Sequence, residues 1–269
     1  MFQPKAEIIA DSINTSGNRL TTFVLTYHRM IHSEVMTYRQ WSRNCSSSRA
    51  IPIAKNIKQV EDLNLYPIHW GANQKGMQAY EEISNEDQIY ARRAWNEARE
   101  ACIKSVKTLV ELGVHKQVAN RLLEPFNTIT MVVTATDYQN FFAQRCHADA
   151  QPEIRALADV MKAEYDASEP DLLLAGQWHL PFITQDMGEI PDDLIKVSVG
   201  CCARVSYLNH NGDRSIDDDI KLHDRLLSSK PAHLSPFEHC AIALPNSGKR
   251  ANFTGFESYR YQLESKHTF

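Results

Sequence analysis

The longest secondary structure element that the sequence predicts is a helix over residues 86–113, for which Gly113 is the stop signal. A run rich in β-branched and aromatic residues, RLTTFVLTY, occupies residues 19–27 and predicts a strand. Helical patterns also cover residues 136–146 and 152–165, and the second begins with proline in its first turn. These elements favour the α+β class, with mixed helices around a small antiparallel or mixed sheet.

Shorter patterns fill the rest of the chain. They predict a helix near residues 30–41, a loop over 66–78, a helix start at 119–123 that breaks before Pro125, a strand over 194–207, a charged helix over 217–228 and a short strand over 239–244. With 269 residues and 43% hydrophobic content, the chain can bury a core for one large domain or two small ones. We predict a single domain over residues 1–269.

Composition excludes several classes of function. The net charge is -4, so there is no basic surface that would indicate a nucleic acid partner, although a small anionic substrate remains compatible. No apolar run approaches the ~18 residues of a membrane span. The 6 cysteines show neither a CxxC motif nor zinc-type spacing, and no signal peptide is recognisable. We therefore expect a soluble cytoplasmic protein with reduced thiols.

A polar segment at residues 37–49, TYRQWSRNCSSSR, follows the strand-like run. Between Arg39 and Arg49 it contains three arginines, one asparagine and four serines. Guanidinium forks beside hydroxyl and amide donors are suited to holding a phosphate or another oxyanion. The alternative is a solvated polar loop or helix end.

The spacing within this segment resembles a known signature. Counting from Arg39, serine follows at plus three, asparagine at plus five, serine at plus eight and arginine at plus ten. This resembles the R-H-R-x-x-S-x-N-E-x-S-x-R motif of the flavin-dependent thymidylate synthases. Five of the eight specified positions match, namely Arg39, Ser42, Asn44, Ser47 and Arg49. Thr37, Tyr38 and Cys45 stand where the motif has Arg, His and Glu.

Two more segments extend the resemblance in the family's order. Arg121 and Pro125 match R-x-x-L-P, with Glu124 in place of leucine. Asn140 and Arg145 match N-x-x-x-x-R, and A-Q-x-E-I follows at residues 150–154. Taken alone, the first segment is more typical of a helix end stopped by proline, and the second of amphipathic helices with arginines facing water.

The motif H-x-S-P-F-E-H at residues 233–239, preceded by A-R-V-S at 203–206, is similar to a further family pattern. The two histidines are six positions apart, which does not suit a helical zinc pair, so we predict no metal site. Ser235 is a candidate N-cap with Pro236 in the first turn, and exposed N–H groups there would favour a cofactor pyrophosphate.

Order along the chain departs from the family. In ordinary members H-x-S-P-F-E-H precedes the arginine motif, whereas here it lies near the C-terminus. We therefore predict a circular permutation, with the arginine motif and helical part at residues 18–165 and the H-x-S-P-F-E-H part at 194–260. The chain resembles viral members of the family, and a virus-encoded protein would lie in the host cytoplasm.

The resemblance implies FAD-dependent methylation of dUMP to dTMP, with methylenetetrahydrofolate as carbon donor and NADPH as reductant. It also implies a homotetramer whose sites are shared between subunits. One alternative is a flavin- and folate-dependent 5-hydroxymethylase acting on dUMP or dCMP. Another is a catalytically silent nucleotide- or nucleic-acid-binding homologue.

The resemblance also implies roles for individual residues. Arg145 would be the catalytic arginine that polarises the pyrimidine ring. The substrate-binding residues would be Glu34, Thr37, Ser47, Ser48, Arg49, Arg121 and Arg145, and the cofactor-binding residues Tyr38, Arg39, Cys45, Thr134, Asn140 and Ser235. Glu34 replaces a usual glutamine and would favour a donor-bearing ring edge, such as the 4-amino group of dCMP. No cysteine attacks the pyrimidine in this family, although Cys45 and Cys146 are candidate nucleophiles on residue type alone.

Overall fold

The computed structural model describes residues 2–184, 191–205 and 215–266. Its α-helices are α1 His32–Val35, α2 Ile53–Leu63, α3 Asn85–Glu111, α4 Lys116–Ala119, α5 Gln139–Arg145, α6 Pro152–Ala167, α7 Pro191–Arg204, α8 Ile216–Ser228 and α9 Tyr259–Lys266. Its strands are β1 Lys5–Asn14, β2 Arg19–His28, β3 Ser42–Cys45, β4 Thr128–Ala135, β5 Asp171–Leu173, β6 Trp178–His179, β7 Ala241–Ala243, β8 Lys249–Arg250, β9 Phe253–Thr254 and β10 Phe256–Ser258. The described residues also include 3₁₀ segments at Arg29–Ile31, Asn120–Phe126 and Ser235–Glu238.

The main sheet has five strands in the order β3-β4-β2-β1-β5. Its pairs are antiparallel except for β1 with β5, which is parallel, so the sheet is mixed as predicted. The register places Phe23 opposite Val133 and His28 opposite Thr128. A second sheet, β10-β7-β6, is formed mainly by the C-terminal part of the chain.

Helices cover both faces of the main sheet. Strand β2 alternates, and its Phe23, Leu25 and Tyr27 pack in a buried cluster with side chains of α5 and α6. On the opposite face Val24 and Val132 pack against the end of α7. This arrangement confirms the α+β class. It also holds β3, and the segment before it, against the packed core of the main sheet. Among the helices in the described ranges, none is both long enough and apolar enough to cross a membrane.

Most of the predicted elements are present. Strand β2, helices α3, α6 and α8, and strand β7 confirm the predictions at residues 19–27, 86–113, 152–165, 217–228 and 239–244. The predicted helix at 136–146 is shorter, α5, and the predicted loop at 66–78 contains neither helix nor strand. Two predictions are only partly right. Residues 30–41 contain one 3₁₀ turn and the four-residue α1, and the predicted helix at 119–123 is α4 followed by a 3₁₀ segment that includes Pro125.

The prediction of a strand over residues 194–207 is wrong, because the described part of that segment is helix α7. Residues 197–203 are all buried, so the helix has no solvated face to create a 3.6-residue period. Gly200 lets α8 approach closely, because a Cβ there would lie 2.6 Å from the carbonyl oxygen of Asp219. In the sequence, a helix that is buried on all sides has the same continuous apolar pattern as a buried strand. Ser206 and Tyr207 lie outside the described residues.

The N-cap prediction for Ser235 is also wrong. Ser235–Glu238 is a single 3₁₀ turn whose N-cap position is Leu234, with no side-chain capping bond. The chain then enters strand β7 through buried His239 and Cys240. A turn this short does not provide the row of free N–H groups on which the pyrophosphate expectation depended.

Candidate active site

A cleft of about 380 Å³ lies between the segment before β3 and helix α5. We call it the Tyr38 cleft, and its lining residues are Thr37, Tyr38, Arg39, Gln40, Trp41, Asp137, Asn140, Phe141, Gln144 and Arg145. Five residues that the sequence assigned to substrate or cofactor binding line it, namely Thr37, Tyr38, Arg39, Asn140 and Arg145. The cleft thus brings two distant motifs together.

Aromatic packing builds one wall of the cleft. The rings of Tyr38 and Trp41 are stacked, with centroids 5.0 Å apart and an interplanar angle of 22°. Phe141 meets Tyr38 edge-on at 4.9 Å and Trp41 at 4.7 Å. Trp41 and Phe141 are almost fully buried, so they fix the orientation of the partly exposed Tyr38 ring.

Arg145 is held in place by the same tyrosine. Its Nε donates a hydrogen bond to the Tyr38 hydroxyl at 2.8 Å, and that hydroxyl donates to Oε1 of Gln144 at 3.2 Å. The guanidinium carbon lies 5.7 Å from the centre of the Tyr38 ring. Within the part of the chain that the structure describes, the two Nη nitrogens of Arg145 have no hydrogen-bond partner. The cleft therefore presents an oriented, permanently charged donor pair.

Sequence reasoning assigned no role to the other five residues that line the cleft, Gln40, Trp41, Asp137, Phe141 and Gln144. Asp137 and Gln144 lie three positions before and four after Asn140, the spacing of one helix face, and this signal would have found them. Trp41 immediately precedes the motif serine Ser42, but nothing in its spacing distinguishes a cleft wall from a core residue.

A second polar group surrounds Glu124, and we call it the Glu124 cluster: Arg29, Ser48, Arg121 and Glu124. Ser48 Oγ donates to Glu124 Oε1 at 2.7 Å, and Arg121 Nη1 donates to the same oxygen at 2.8 Å. Nη2 of Arg29 lies 2.9 Å from that oxygen. Asn120 fixes the serine turn, since its side-chain amide donates to the carbonyl oxygens of Ser48 at 2.7 Å and of Ile51 at 2.9 Å.

The two groups lie at opposite ends of strand β4. The Glu124 cluster adjoins the start of β4, where His28 pairs with Thr128, and the Tyr38 cleft adjoins its end, where β3 begins opposite Thr134. An eight-residue strand spans roughly 23 Å between its terminal Cα atoms. Within one chain, Arg121 and Arg145 therefore do not share a cleft.

The remaining residues with predicted roles lie outside the Tyr38 cleft. Glu34 is on α1, where its carboxylate accepts a hydrogen bond from Ser33 at 2.9 Å. Ser47 and the exposed Arg49 belong to the turn after β3, beside Ser48. Ser235 is half-buried in its 3₁₀ turn.

Thr134, which the sequence assigned to cofactor binding, is fully buried. Its Oγ1 lies 2.7 Å from Oγ1 of Thr22 and 2.8 Å from Nδ1 of His239. Thr22 in turn lies 2.8 Å from Nε2 of His179. Thr134 therefore belongs to an internal hydrogen-bond network between the two sheets, and in this chain it has no exposed surface.

The cysteines near the arginine motifs are neutral thiols. Burial raises the pKa of Cys45 to about 11, against the opposing charges of Arg43 and Arg29. Burial, together with a hydrogen bond to Asp159, also raises the pKa of Cys146. Neither side chain is activated as a thiolate nucleophile.

No group of three or more His, Cys, Asp or Glu side chains within the described ranges is placed to hold a metal ion. His239 of the H-x-S-P-F-E-H motif is buried and bonded to Thr134, and Glu238 pairs with Arg260 at 2.6 Å. These side chains serve packing and ion pairing within the fold.

The fold and the Tyr38 cleft define an α+β protein with a candidate ligand site that combines an aromatic wall and arginine donors. The family described as thymidylate synthase complementing protein matches residues 19–171, more than half of the chain, and the chain belongs to that family. This finding confirms the resemblance seen in the arginine motif. No curated protein matches the sequence.

Two solved structures match part of this chain. One is the UMP/dUMP methylase PolB from Streptomyces cacaoi bound with 5-Br UMP, with a TM-score of 0.49, 16% identity, and coverage of 61% of this chain and 89% of that chain. The other is the same methylase bound with 5-Br dUMP, with a TM-score of 0.47, 16% identity, and coverage of 60% and 89%.

Proposed function

We propose that the protein is an FAD-dependent enzyme that methylates dUMP to dTMP, with methylenetetrahydrofolate as carbon donor and NADPH as reductant. The observation that carries this proposal is the convergence of Tyr38, Arg39, Asn140 and Arg145 on one cleft. These residues come from two motifs about a hundred positions apart in the sequence. They are also among those to which the family resemblance assigns flavin and pyrimidine contacts.

The cleft suits a planar ring system. It has an aromatic wall at Tyr38, and donors at Arg39, Asn140 and Arg145 could bond ring carbonyl or phosphate oxygens. Its volume of about 380 Å³ is at the lower end of the range for ligand sites. It has room for one ring system rather than for a flavin and a nucleotide together. When bound, FAD supplies the hydride that completes a methyl group.

Within this proposal, Arg145 stabilises negative charge on the pyrimidine ring. Its guanidinium group is the donor, and Tyr38 orients it so that the Nη nitrogens remain available. Asn140 and Arg39 hold the cofactor, and Tyr38 also offers a ring face. Cys45 and Cys146 take no covalent part, because raised pKa values keep both as thiols.

We propose that the complete site requires a homotetramer. Arg49 and Arg121 have predicted roles in nucleotide binding, yet both lie near the end of β4 that is remote from the Tyr38 cleft. A neighbouring subunit that placed its Arg121 beside this cleft would reunite them. The limited volume of the cleft in one chain supports the same inference.

We also propose that the chain is a circular permutation of the family fold, with the arginine motif and helical part at 18–165 and the H-x-S-P-F-E-H part at 194–260. The H-x-S-P-F-E-H segment lies outside the matched residues 19–171. The C-terminal part that contains it nevertheless contacts the main sheet, since His239 bonds Thr134 of β4, and Asn252 Nδ2 donates to Ser42 of β3 at 3.3 Å. Residues near the C-terminus thus complete the layer around the central sheet.

Visible absorption of the purified protein tests the cofactor. We expect an oxidised flavin spectrum that NADPH bleaches anaerobically, and turnover of dUMP with methylenetetrahydrofolate to a product with the mass of dTMP. A colourless protein that still binds dUMP would support the silent homologue. A product heavier than dTMP by one oxygen would support the 5-hydroxymethylase. Comparing dUMP with dCMP in wild type and Glu34→Gln tests whether that carboxylate selects the base.

A further inference from the structure

The Glu124 cluster has the geometry of an anion site that already contains an anion. Three donors from three separate segments converge on a single oxygen, Oε1 of Glu124, at 2.7 to 2.9 Å. An arginine–carboxylate pair frequently engages both carboxylate oxygens. Here the donors surround one point in space, as they would around one oxygen of a phosphate.

The cluster is both preorganised and accessible. The Arg29 side chain is only 13% exposed, and its backbone N–H is anchored to the carbonyl oxygen of Asn127 at 2.9 Å. The Ser48 turn is held by Asn120 and does not depend on Glu124. Arg121, in contrast, is 53% exposed and Glu124 26% exposed. An ion can therefore approach from the Arg121 side while the other donors stay in place.

Charge favours exchange of the carboxylate for a more highly charged anion. Two guanidinium groups face a single carboxylate, so the cluster keeps a net positive charge. A phosphate monoester carries about -1.5 to -2 at pH 7 and has three acceptor oxygens. It would neutralise the cluster more completely than Glu124 does.

We propose that Glu124 is an internal competitor that occupies a phosphate site, and that a nucleotide 5′-phosphate binds by displacing it. The assignment of the phosphate to a nucleotide rests on the proposed function. Glu124 would thereby set the affinity for phosphorylated ligands and disfavour weakly charged anions, because only a dianion gains enough from both arginines to replace it.

Calorimetric titration of the full chain with inorganic phosphate, dUMP and deoxyuridine tests the proposal. The variants are Glu124→Gln, which keeps the shape and removes the charge, and Glu124→Leu, which removes the acceptors as well. We expect both to bind phosphate and dUMP about tenfold more tightly than wild type, with deoxyuridine unchanged. Glu97→Gln is the matched control, because it removes one negative charge from an exposed pair with Arg93. Thermal unfolding of each variant verifies that it is folded.

Adding Arg121→Ala to Glu124→Gln should abolish the gain in phosphate affinity. Unchanged or weaker phosphate binding by folded Glu124→Gln and Glu124→Leu would overturn the proposal and make Glu124 a structural clamp. The same gain in Glu97→Gln would also overturn it, since the effect would then be net charge alone. Tighter phosphate binding without dUMP turnover in any form would refute the proposed function while leaving the phosphate site supported.

Discussion

The side chains of Arg145 and Tyr38, 107 residues apart in the sequence, share a hydrogen bond of 2.8 Å in which the guanidinium Nε donates to the phenol oxygen. Tyr38 stands where the family motif has histidine. Unlike a protonated histidine, a tyrosine hydroxyl accepts this bond without placing a second positive charge beside the arginine. The substitution thus connects the arginine motif to helix α5 and orients the proposed catalytic group.

Tyr38→Phe should reduce kcat/KM for dUMP roughly ten- to hundredfold, because a hydrogen bond to a charged group contributes about 1.5–3 kcal/mol. The ring stack on Trp41 remains, so flavin content and thermal stability should change little. Steady-state kinetics and the visible spectrum measure the two effects. Tyr80→Phe is the matched control, since it removes a hydroxyl that bonds Asp149 at the surface. Full activity in Tyr38→Phe would show that Arg145 needs no such orientation.

Arg145→Ala should lower kcat by roughly a hundredfold or more, the usual effect of removing a charge that stabilises a developing anion. The protein should keep its flavin absorption, because Asn140, Arg39 and Tyr38 remain. The comparison is with Arg155→Ala on α6, an exposed arginine near Asp159. If colour and activity disappear together in Arg145→Ala, the residue has a structural role.

Cys45→Ser and Cys146→Ser should each retain turnover within about threefold of wild type, because neither thiol is ionised at neutral pH. Cys45 has a pKa of about 11 through burial, so its reaction with iodoacetamide should be slow below pH 9. Mass spectrometry after timed alkylation measures the modification of each cysteine. Loss of activity in one serine variant with unchanged thermal stability would revive a nucleophilic cysteine.

The sequence correctly predicted the elements that have a distinctive pattern of residue types along the chain. Helix α3 faces solvent along much of its length, so its apolar residues recur at helical spacing, and strand β2 is recognisable from its β-branched and aromatic residues. The same reasoning wrongly predicted a strand at helix α7, because packing on nearly every side removes the polar face that identifies a helix. The predicted capping role of Ser235 was wrong, because the 3₁₀ turn is followed at once by His239 and Cys240, which are buried in the core.

The cleft was partly predictable for a related reason. The resemblance to the family motifs pointed to Tyr38, Arg39, Asn140 and Arg145, and all four line the cleft. The spacing of the motif gave no information on how deeply each side chain is buried. The hydroxyl of Thr134 takes part in a buried hydrogen-bond network. Arg29 belongs to the Glu124 cluster, although its own segment contains no motif. Such contacts depend on which strands pair, and the local sequence does not encode that pairing.

Acid should destabilise the fold through His179 and His239. Burial lowers the pKa of His179 to about 3, and burial together with the neighbouring His179 lowers the pKa of His239 to about 3. In the unfolded chain both would titrate near 6.5. Between pH 6.5 and 3 the unfolded state therefore binds protons that the native state excludes, so the free energy of unfolding falls as pH falls. Each histidine contributes a slope of about 1.4 kcal/mol per pH unit.

Urea unfolding at a series of pH values measures this slope, and His239→Asn tests its origin. Asparagine can still bond Thr134 but does not titrate, so the variant should lose about 1.4 kcal/mol per pH unit from the slope below pH 6. Because asparagine is smaller than the buried histidine, the variant should also be less stable at pH 7. His233→Asn, at a more exposed histidine of the same motif, is the matched control. A slope in His239→Asn equal to that of wild type would mean that His239 is already protonated in the native protein or that carboxylates alone control acid unfolding.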